Sequence, residues 1–302
     1  MSETRVILRR KIGGAKDLQS VVQTMKTLAA SSLAQYEKSA LALSDYLHTV
    51  ELGLGVSFRS SRSLHPSNRA PKPEPAKAIG AVVFGSDLGL VGKFNEAITG
   101  HALNTLTPLR LKPHVWAIGE RVQTCLLDAG HPPVGMFSVP TSIQGITTLV
   151  SQILRENDLR QIPDETSELY LFYNRPMSGT LYEPICQRIL PLDEAWIQSL
   201  EALHWPTHSL PEVMGGETET LRALIREYLF VSIYRASAES LASENASRLA
   251  AMQRADKNIS ELLENLNRTF HRIRQSSIDE ELFDVISGFE ALNPPANPMG
   301  KY

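Results

Sequence analysis

The chain has 302 residues, 42% of them hydrophobic, which is enough apolar material to fill a core and excludes a disordered chain. A formal net charge of −3 and a sequence pI near 6.3 give no global attraction to nucleic acid or acidic lipid, so any electrostatic partner has to be met by a local patch. No run approaches the roughly 18 apolar residues of a membrane span, and the basic stretch Arg5 to Lys11 is followed by Gly13, Gly14, Lys16 and Asp17 rather than by an apolar signal core.

The first element is a long helix over 1–57, since no proline occurs before Pro66. It opens on a basic patch, Arg5, Arg9, Arg10, Lys11 and Lys16, set against only Glu3 and Asp17. A 3,4 spacing runs through Leu8, Ile12, Ala15, Gln19, Val22, Lys26, Ala29, Leu33, Tyr36, Ala40, Leu43, Leu47, Val50 and Leu54, and only Gln19 and Lys26 break it. Beside this seam Leu18, Val21, Met25 and Leu28 make a second apolar stripe. A two-stranded coil buries only one stripe, so the second has to meet either another part of the chain or another protein.

A linker follows over 58–77, with Pro66, Pro71, Pro73 and Pro75, and its composition predicts mobility. Over 78–205 the texture changes to strands alternating with helices: a buried strand 78–84, helix 95–106, strand 115–118, helix 120–129, an extended piece 136–139, helix 143–156, strand 169–173 and an edge strand 185–192. This pattern predicts an α/β domain with a mainly parallel sheet. Cys125 and Cys186 lie within it without C-x-x-C spacing and read as buried thiols in a reducing compartment.

A second linker, 206–216, leads into a helix over 217–292, with the tail 293–302 beyond. From Glu217 to Ser287 there is neither glycine nor proline, and a seam runs through Leu221, Leu224, Tyr228, Val231, Arg235, Ala238, Ala242, Asn245, Leu249, Met252, Asp256, Ile259, Leu263, Leu266, Phe270 and Ile273. A seam sustained over about six heptads or more predicts that the two terminal helices pair as a long antiparallel coiled coil. The first helix runs out near Phe270, and the remaining turns carry Ile278, Leu282, Val285 and Phe289 on one stripe without a partner in the chain.

Catalytic chemistry finds no foothold. The turn after the first strand, Gly85 to Lys93, has Asp87 where a P-loop needs glycine and Phe94 where it needs a hydroxyl, and its glycines do not fit G-x-G-x-x-G. It reads as a structural turn in which the glycines supply unusual dihedrals. The eight histidines are scattered, His204 and His208 bracket Trp205 and Pro206, and no G-x-S-x-G elbow occurs. No cofactor or metal is expected.

Several blocks, in order along about nine-tenths of the chain, resemble the gamma subunit of F-type ATP synthases. Met25-Lys26, Leu28-Ala29-Ala30-Ser31 and Leu33 are similar to that family's Met-Lys-x-Val-Ala-Ala-Ser-Lys-Leu. Ser86-Asp87-Leu88-Gly89-Leu90-Val91-Gly92 with Asn95 is similar to its Ser-Asp-x-Gly-Leu-Cys-Gly-x-x-Asn. Tyr234-Arg235, Glu239 to Glu244, Ala246, Arg248, Ala251-Met252, Ala255 and Asn258 lead to Arg274-Gln275 and the block Ile278 to Gly288, similar to the family's C-terminal signature. Asp279 stands where that signature usually has threonine, Phe289 where it has alanine, and Gly13-Gly14 where a basic residue and serine are common. These departures mark a divergent member, consistent with an alternative F-type complex.

The resemblance implies a non-catalytic central rotor shaft that couples ion-driven rotation to conformational changes in catalytic beta subunits. Its implied partners are the alpha and beta subunits of the hexamer, the epsilon subunit and the membrane c-ring, with no nucleic acid and no insertion into the bilayer. Subunit contacts are implied for Leu18, Val21, Met25, Lys26, Leu28, Arg274, Gln275, Ile278, Leu282, Val285 and Phe289. Arg274 and Gln275 resemble the pair that engages a catch loop on a catalytic subunit. Ser86, Asp87, Gly89, Gly92 and Asn95 are implied to be turn residues. Because the resemblance begins near Arg5, no organelle transit peptide is expected, and the implied place is the cytoplasmic face of a bacterial inner membrane. The rival readings are a static coiled-coil scaffold or adaptor and a nucleotide-binding enzyme with helical arms.

Overall fold

The structure, a computed structural model, describes residues 2–64, 78–109, 111–159, 168–177, 180–209, 211 and 216–292. The expected proline-rich stretch 65–77, part of the second linker and the tail 293–302 lie outside the described residues. Two long helices, α1 (Ser2–Leu64) and α6 (Glu217–Leu292), bracket the chain, and Glu217 and Glu219 complement the dipole in the first turn of α6. The chain divides into two compact units, Met1–Thr27 with Met252–Tyr302, and Leu28–Ala251.

In the first unit α1 and α6 pair antiparallel. Ala15 and Val22 are buried against Met252, Ile259 and Leu263, with Ile12 and Ala255 packed alongside. The seam's polar interruptions answer one another: Gln19 donates to the Ser260 hydroxyl at 3.0 Å and to Asp256 Oδ1 at 3.5 Å, and Lys26 donates to Asp256 Oδ2 at 3.3 Å. These groups are partly exposed, so the ion pair contributes about 0–1 kcal/mol. Its use is specificity, because a polar layer in an apolar seam favours the one register that pairs it.

The second unit is built on a five-stranded sheet of order β3-β2-β1-β4-β5. Its strands are β1 (Ile79–Phe84), β2 (His114–Ile118), β3 (Gly135–Phe137), β4 (Glu168–Met177) and β5 (Thr180–Leu190). Every neighbouring pair is parallel except β4 with β5, so the expected edge strand is present as the second arm of an antiparallel hairpin. β1 is buried on both faces, as a central parallel strand must be. On one face Ala81, Val83, Ala117 and Phe172 pack against Ile98 and Ala102 of α2 (Phe94–Leu106) and Val122 and Leu126 of α3 (Glu120–Asp128). On the other, Val82, Phe84, Leu171 and Tyr173 meet Ile146 and Ile153 of α4 (Ile143–Leu159), Tyr36 of α1 and Ile233, Ala238 and Ala242 of α6.

The long helices therefore form part of a layer on the sheet, and the compact unit runs from Leu28 to Ala251 rather than over the expected 78–205. Close approach is possible because α6 turns small residues inward here, with Ser232, Ala236, Ser237, Ser240, Ser243 and Ser247 all buried. The Ser243 hydroxyl donates to the Asn174 carbonyl of β4 at 2.9 Å, and the Asn174 amide donates to the Phe94 carbonyl of α2 at 3.1 Å, tying all three layers together. Cys125 and Cys186 are half-buried rather than fully buried, and partial desolvation raises both thiols above their ordinary pKa.

An element absent from the sequence reading, α5 (Glu194–Glu201), explains why α1 continues past residue 57 to Leu64. Asp193 caps α5 by accepting from the Ala195 N–H at 3.2 Å. At the other end Arg59 donates to the Glu201 and Leu203 carbonyls at 2.7 and 3.0 Å, and Phe58 joins the cluster of Leu54, Leu200, Trp196 and Tyr228. The expected linker residues 58–64 are thus drawn into helix by contacts with a distant element.

A Cβ built on Gly55 would lie 2.3 Å from the Leu200 carbonyl oxygen, whereas one on Gly13 would meet nothing within 4 Å. Gly13→Ala should therefore stabilise by about 0.5–1 kcal/mol, the usual gain in a helix interior. Gly55→Ala should destabilise by about 1–3 kcal/mol, because the obstruction is backbone that cannot step aside. Thermal denaturation of the two variants beside the parent checks the opposite signs.

Candidate functional site

At the carboxyl ends of parallel strands, where α/β folds usually receive ligands, this chain has filled the place itself. Asp87 accepts from the Glu120 N–H at 3.1 Å through one carboxylate oxygen and from the Val139 N–H at 3.0 Å through the other. The first of these sits at the N-terminus of α3, the position an incoming phosphate would take. Ser86 and Asn95 lock the turn reciprocally, the Ser86 N–H donating to Asn95 Oδ1 at 3.0 Å and the Asn95 amide to the Ser86 hydroxyl at 2.9 Å. Among the described residues no group of side chains could hold a metal ion.

The sequence reading assigned the unusual dihedrals of this turn to its glycines. Gly92 has a φ of 65°, but the other left-handed residue is Leu90 at 64°, and Gly89 has no positive φ. A third special position, Gly119 at φ 108°, lies on the next strand–helix connection, where a Cβ would come within 2.7 Å of the Ser86 backbone. The turn is thus rigid, and it presents Leu88 and Leu90 to solvent at 68% and 62% exposure. Sequence reasoning missed these two leucines. Their signal is an apolar pair in a loop otherwise given over to turn residues.

Behind the turn lies Glu244 of α6, almost fully buried and paired with Arg248 at 2.6 Å. Burial pushes its carboxyl above the ordinary range, the Asp87 charge adds to the rise, and Arg248 opposes it. A carboxyl raised in the folded state contributes stability below its unfolded pKa and loses it as pH climbs through the folded value. Glu244→Gln removes that loss. Its stability relative to the parent should rise with pH across the window above the ordinary carboxylate pKa, as denaturant melts at a series of pH values would show.

Among the described residues, two surfaces of the long helices are apolar and exposed. On α1 the stripe of Leu18, Val21, Met25 and Leu28 is exposed, with Val21 at 51% and Leu28 at 62%. Lys26, a seam position also implied as a contact residue by resemblance, donates to Asp256 Oδ2 at 3.3 Å and keeps 40% of its side chain exposed. On α6 the seam positions remain covered as far as Ile273, after which Arg274 and Gln275 are exposed and Ile278, Leu282, Val285 and Phe289 all stand in solvent. Phe283 and Ile286 are exposed as well, so the apolar face is broader than the stripe read from the sequence. Asp279, Glu280, Glu281 and Asp284 supply its acidic flank.

A family model described as ATP synthase matches residues 5–292. The ATP synthase gamma chain of Brevibacillus brevis is 27% identical over 293 residues, covering 94% of this chain and 97% of that one. That of Syntrophus aciditrophicus is 26% identical over 299 residues, covering 94% and 97%. Among solved structures, the rotor of the Euglena gracilis mitochondrial ATP synthase aligns with a TM-score of 0.58 at 16% identity, covering 92% of this chain and 100% of that one. The central stalk of the Tetrahymena thermophila enzyme aligns with a TM-score of 0.55 at 20% identity, covering 78% and 99%. The match runs over nearly the whole chain, and the chain belongs to the ATP synthase family as a gamma subunit.

Proposed function

We propose that this gamma subunit is the central shaft of its complex, itself without catalytic activity, and that it acts by presenting different faces to otherwise equivalent catalytic subunits. The observation that carries this reading is the run of exposed apolar side chains from Ile278 to Phe289 on a continuous helix, which needs a protein sleeve to leave water. A shaft with an apolar face on one side and carboxylates on its flank offers different contact to each neighbour as it turns. Only such differential contact can shift the conformational populations of subunits that are chemically alike. The sleeve is the hexamer of alpha and beta subunits, and epsilon and the c-ring are the remaining rotor partners. No helix among the described residues is long and apolar enough to cross a membrane, which accords with a peripheral role at the cytoplasmic face of a bacterial inner membrane.

The stripe of Leu18, Val21, Met25 and Leu28 is a second contact of the shaft, since the seam beside it is already satisfied by α6. Val21→Asp should reduce incorporation of the chain into the complex several-fold while leaving its own melting temperature nearly unchanged. Equal loss of folding and assembly would show instead that the stripe packs within the chain. Arg274, exposed just beyond the last covered seam position, is a candidate for bidentate contact with a carboxylate of a catalytic subunit. Arg274→Ala should leave thermal stability of the subunit unchanged and slow ATP turnover or weaken coupling in the reconstituted complex. Normal turnover and coupling in a fully assembled variant would remove Arg274 from the contact surface. A static scaffold is the alternative, and it predicts no dependence of turnover on either substitution.

A further inference from the structure

The sheet of the second unit ends on β5, an edge strand of 11 residues, whereas the opposite edge, β3, has only 3. Proteins usually shorten or cover such an edge, because its free N–H and C=O groups invite another strand. Which groups are free follows from one residue. Pro184 lies opposite Asn174 and has no N–H to give, so its position faces away from β4. Consistently, the Asn174 carbonyl is taken by the Ser243 hydroxyl rather than by β5. Backbone direction alternates along a strand, so Cys186, opposite Phe172, and Arg188, opposite Tyr170, also turn their N–H and C=O outward. Among the described residues none of these groups meets another backbone group beyond the edge.

A cavity of about 460 Å3 opens at the end of this edge, lined by Arg188 of β5 together with Leu47, Glu51, Trp196, Tyr228 and Arg235. Its apolar wall is the Trp196–Tyr228 pair, with ring centroids 4.6 Å apart. Arg235 is held by Glu239 at 2.7 Å, but Arg188 has no ion-pair partner among the described residues. Backbone groups in need of a ladder, an arginine beside them without an ion-pair partner among the described residues, and a mixed cavity with one aromatic wall specify an occupant.

We infer that the outer edge of β5 receives an extended strand from another subunit of the complex, which adds to the sheet through the backbones of Cys186 and Arg188, brings a carboxylate to Arg188 and places an apolar side chain against Trp196 and Tyr228. Strand addition of this kind takes affinity from the main chain and specificity from the flanking side chains. A second copy of this chain fits poorly, because β5 paired with β5 sets a proline gap in each strand within the short stretch where outward groups are available. The inference does not depend on where the end of α6 docks.

Hydrogen exchange resolved to single amides tests it, with the free full-length chain compared against the purified intact complex. In the free chain the inward amides of Ile185 and Gln187 should exchange slowly, and those of Cys186 and Arg188 fast. In the complex the Cys186 and Arg188 amides should slow by about 100-fold or more, as ladder bonds require. Arg188→Glu should cut retention of the neighbouring subunit by about tenfold at unchanged melting temperature of the free chain, while Arg188→Lys largely keeps it. Fast exchange at Cys186 and Arg188 in the intact complex would overturn the inference. So would retention indifferent to Arg188→Glu, or protection that grows with concentration in the free chain, which would assign the edge to a second copy.

Discussion

The structure depends on one constraint: each long helix carries an apolar stripe that cannot remain in water and is met by the stripe of the other. In the first unit the stripes bury each other directly, with Ala15 and Val22 against Met252, Ile259 and Leu263. In the second the same two helices also lie on a sheet, and α6 changes character accordingly. Between Ser232 and Ser247 its buried face gains many serines and alanines beside Ile233, Tyr234 and Leu241, which lets β4 approach closely enough for Ser243 to bond the Asn174 carbonyl. A bulkier face would hold the sheet off the helix, and without that anchor the α/β layers would lose the hydrogen-bonded chain that joins α6, β4 and α2.

The same economy is seen at the carboxyl ends of the parallel strands, where α/β folds usually receive ligands. Asp87 places its own carboxylate where an anion would sit, and Ser86 and Asn95 fix the loop around it. What the fold offers to the outside is surface: the rigid leucine-bearing turn, the second stripe of α1, the bare face of α6 beyond Ile273 and the open edge of β5. On the proposed reading the subunit works through such surfaces, its effect on catalysis being made on its neighbours.

Much of this was legible in the sequence because helical seams are a long-range repetition. Every seam position from Leu8 to Leu54 and from Leu221 to Ile273 is buried or half-buried; of the residues that break the pattern, Gln19, Lys26 and Asp256 meet one another, while Arg235 pairs with Glu239 and Asn245 donates to the Leu241 carbonyl. Parallel strands were visible as short apolar runs. What escaped depended on contacts between segments far apart in the chain. α5 is short and acquires its reason only when Leu200 meets Leu54, and residues 58–64 are helical because Arg59 reaches the end of that helix. Leu90 in a left-handed conformation could not be anticipated either, since glycine is the residue that such a dihedral ordinarily selects.

The central claim is that this chain turns within its complex. The direct measurement is single-molecule rotation: the intact complex is fixed to a surface through its hexamer, and a probe is attached to an exposed position of this chain, such as Glu183 replaced by cysteine in a chain lacking Cys125 and Cys186. On addition of ATP the probe should rotate continuously in one direction, at a rate that follows ATP concentration. A probe that stays fixed while the same complexes hydrolyse ATP would contradict the account and make the chain a static scaffold.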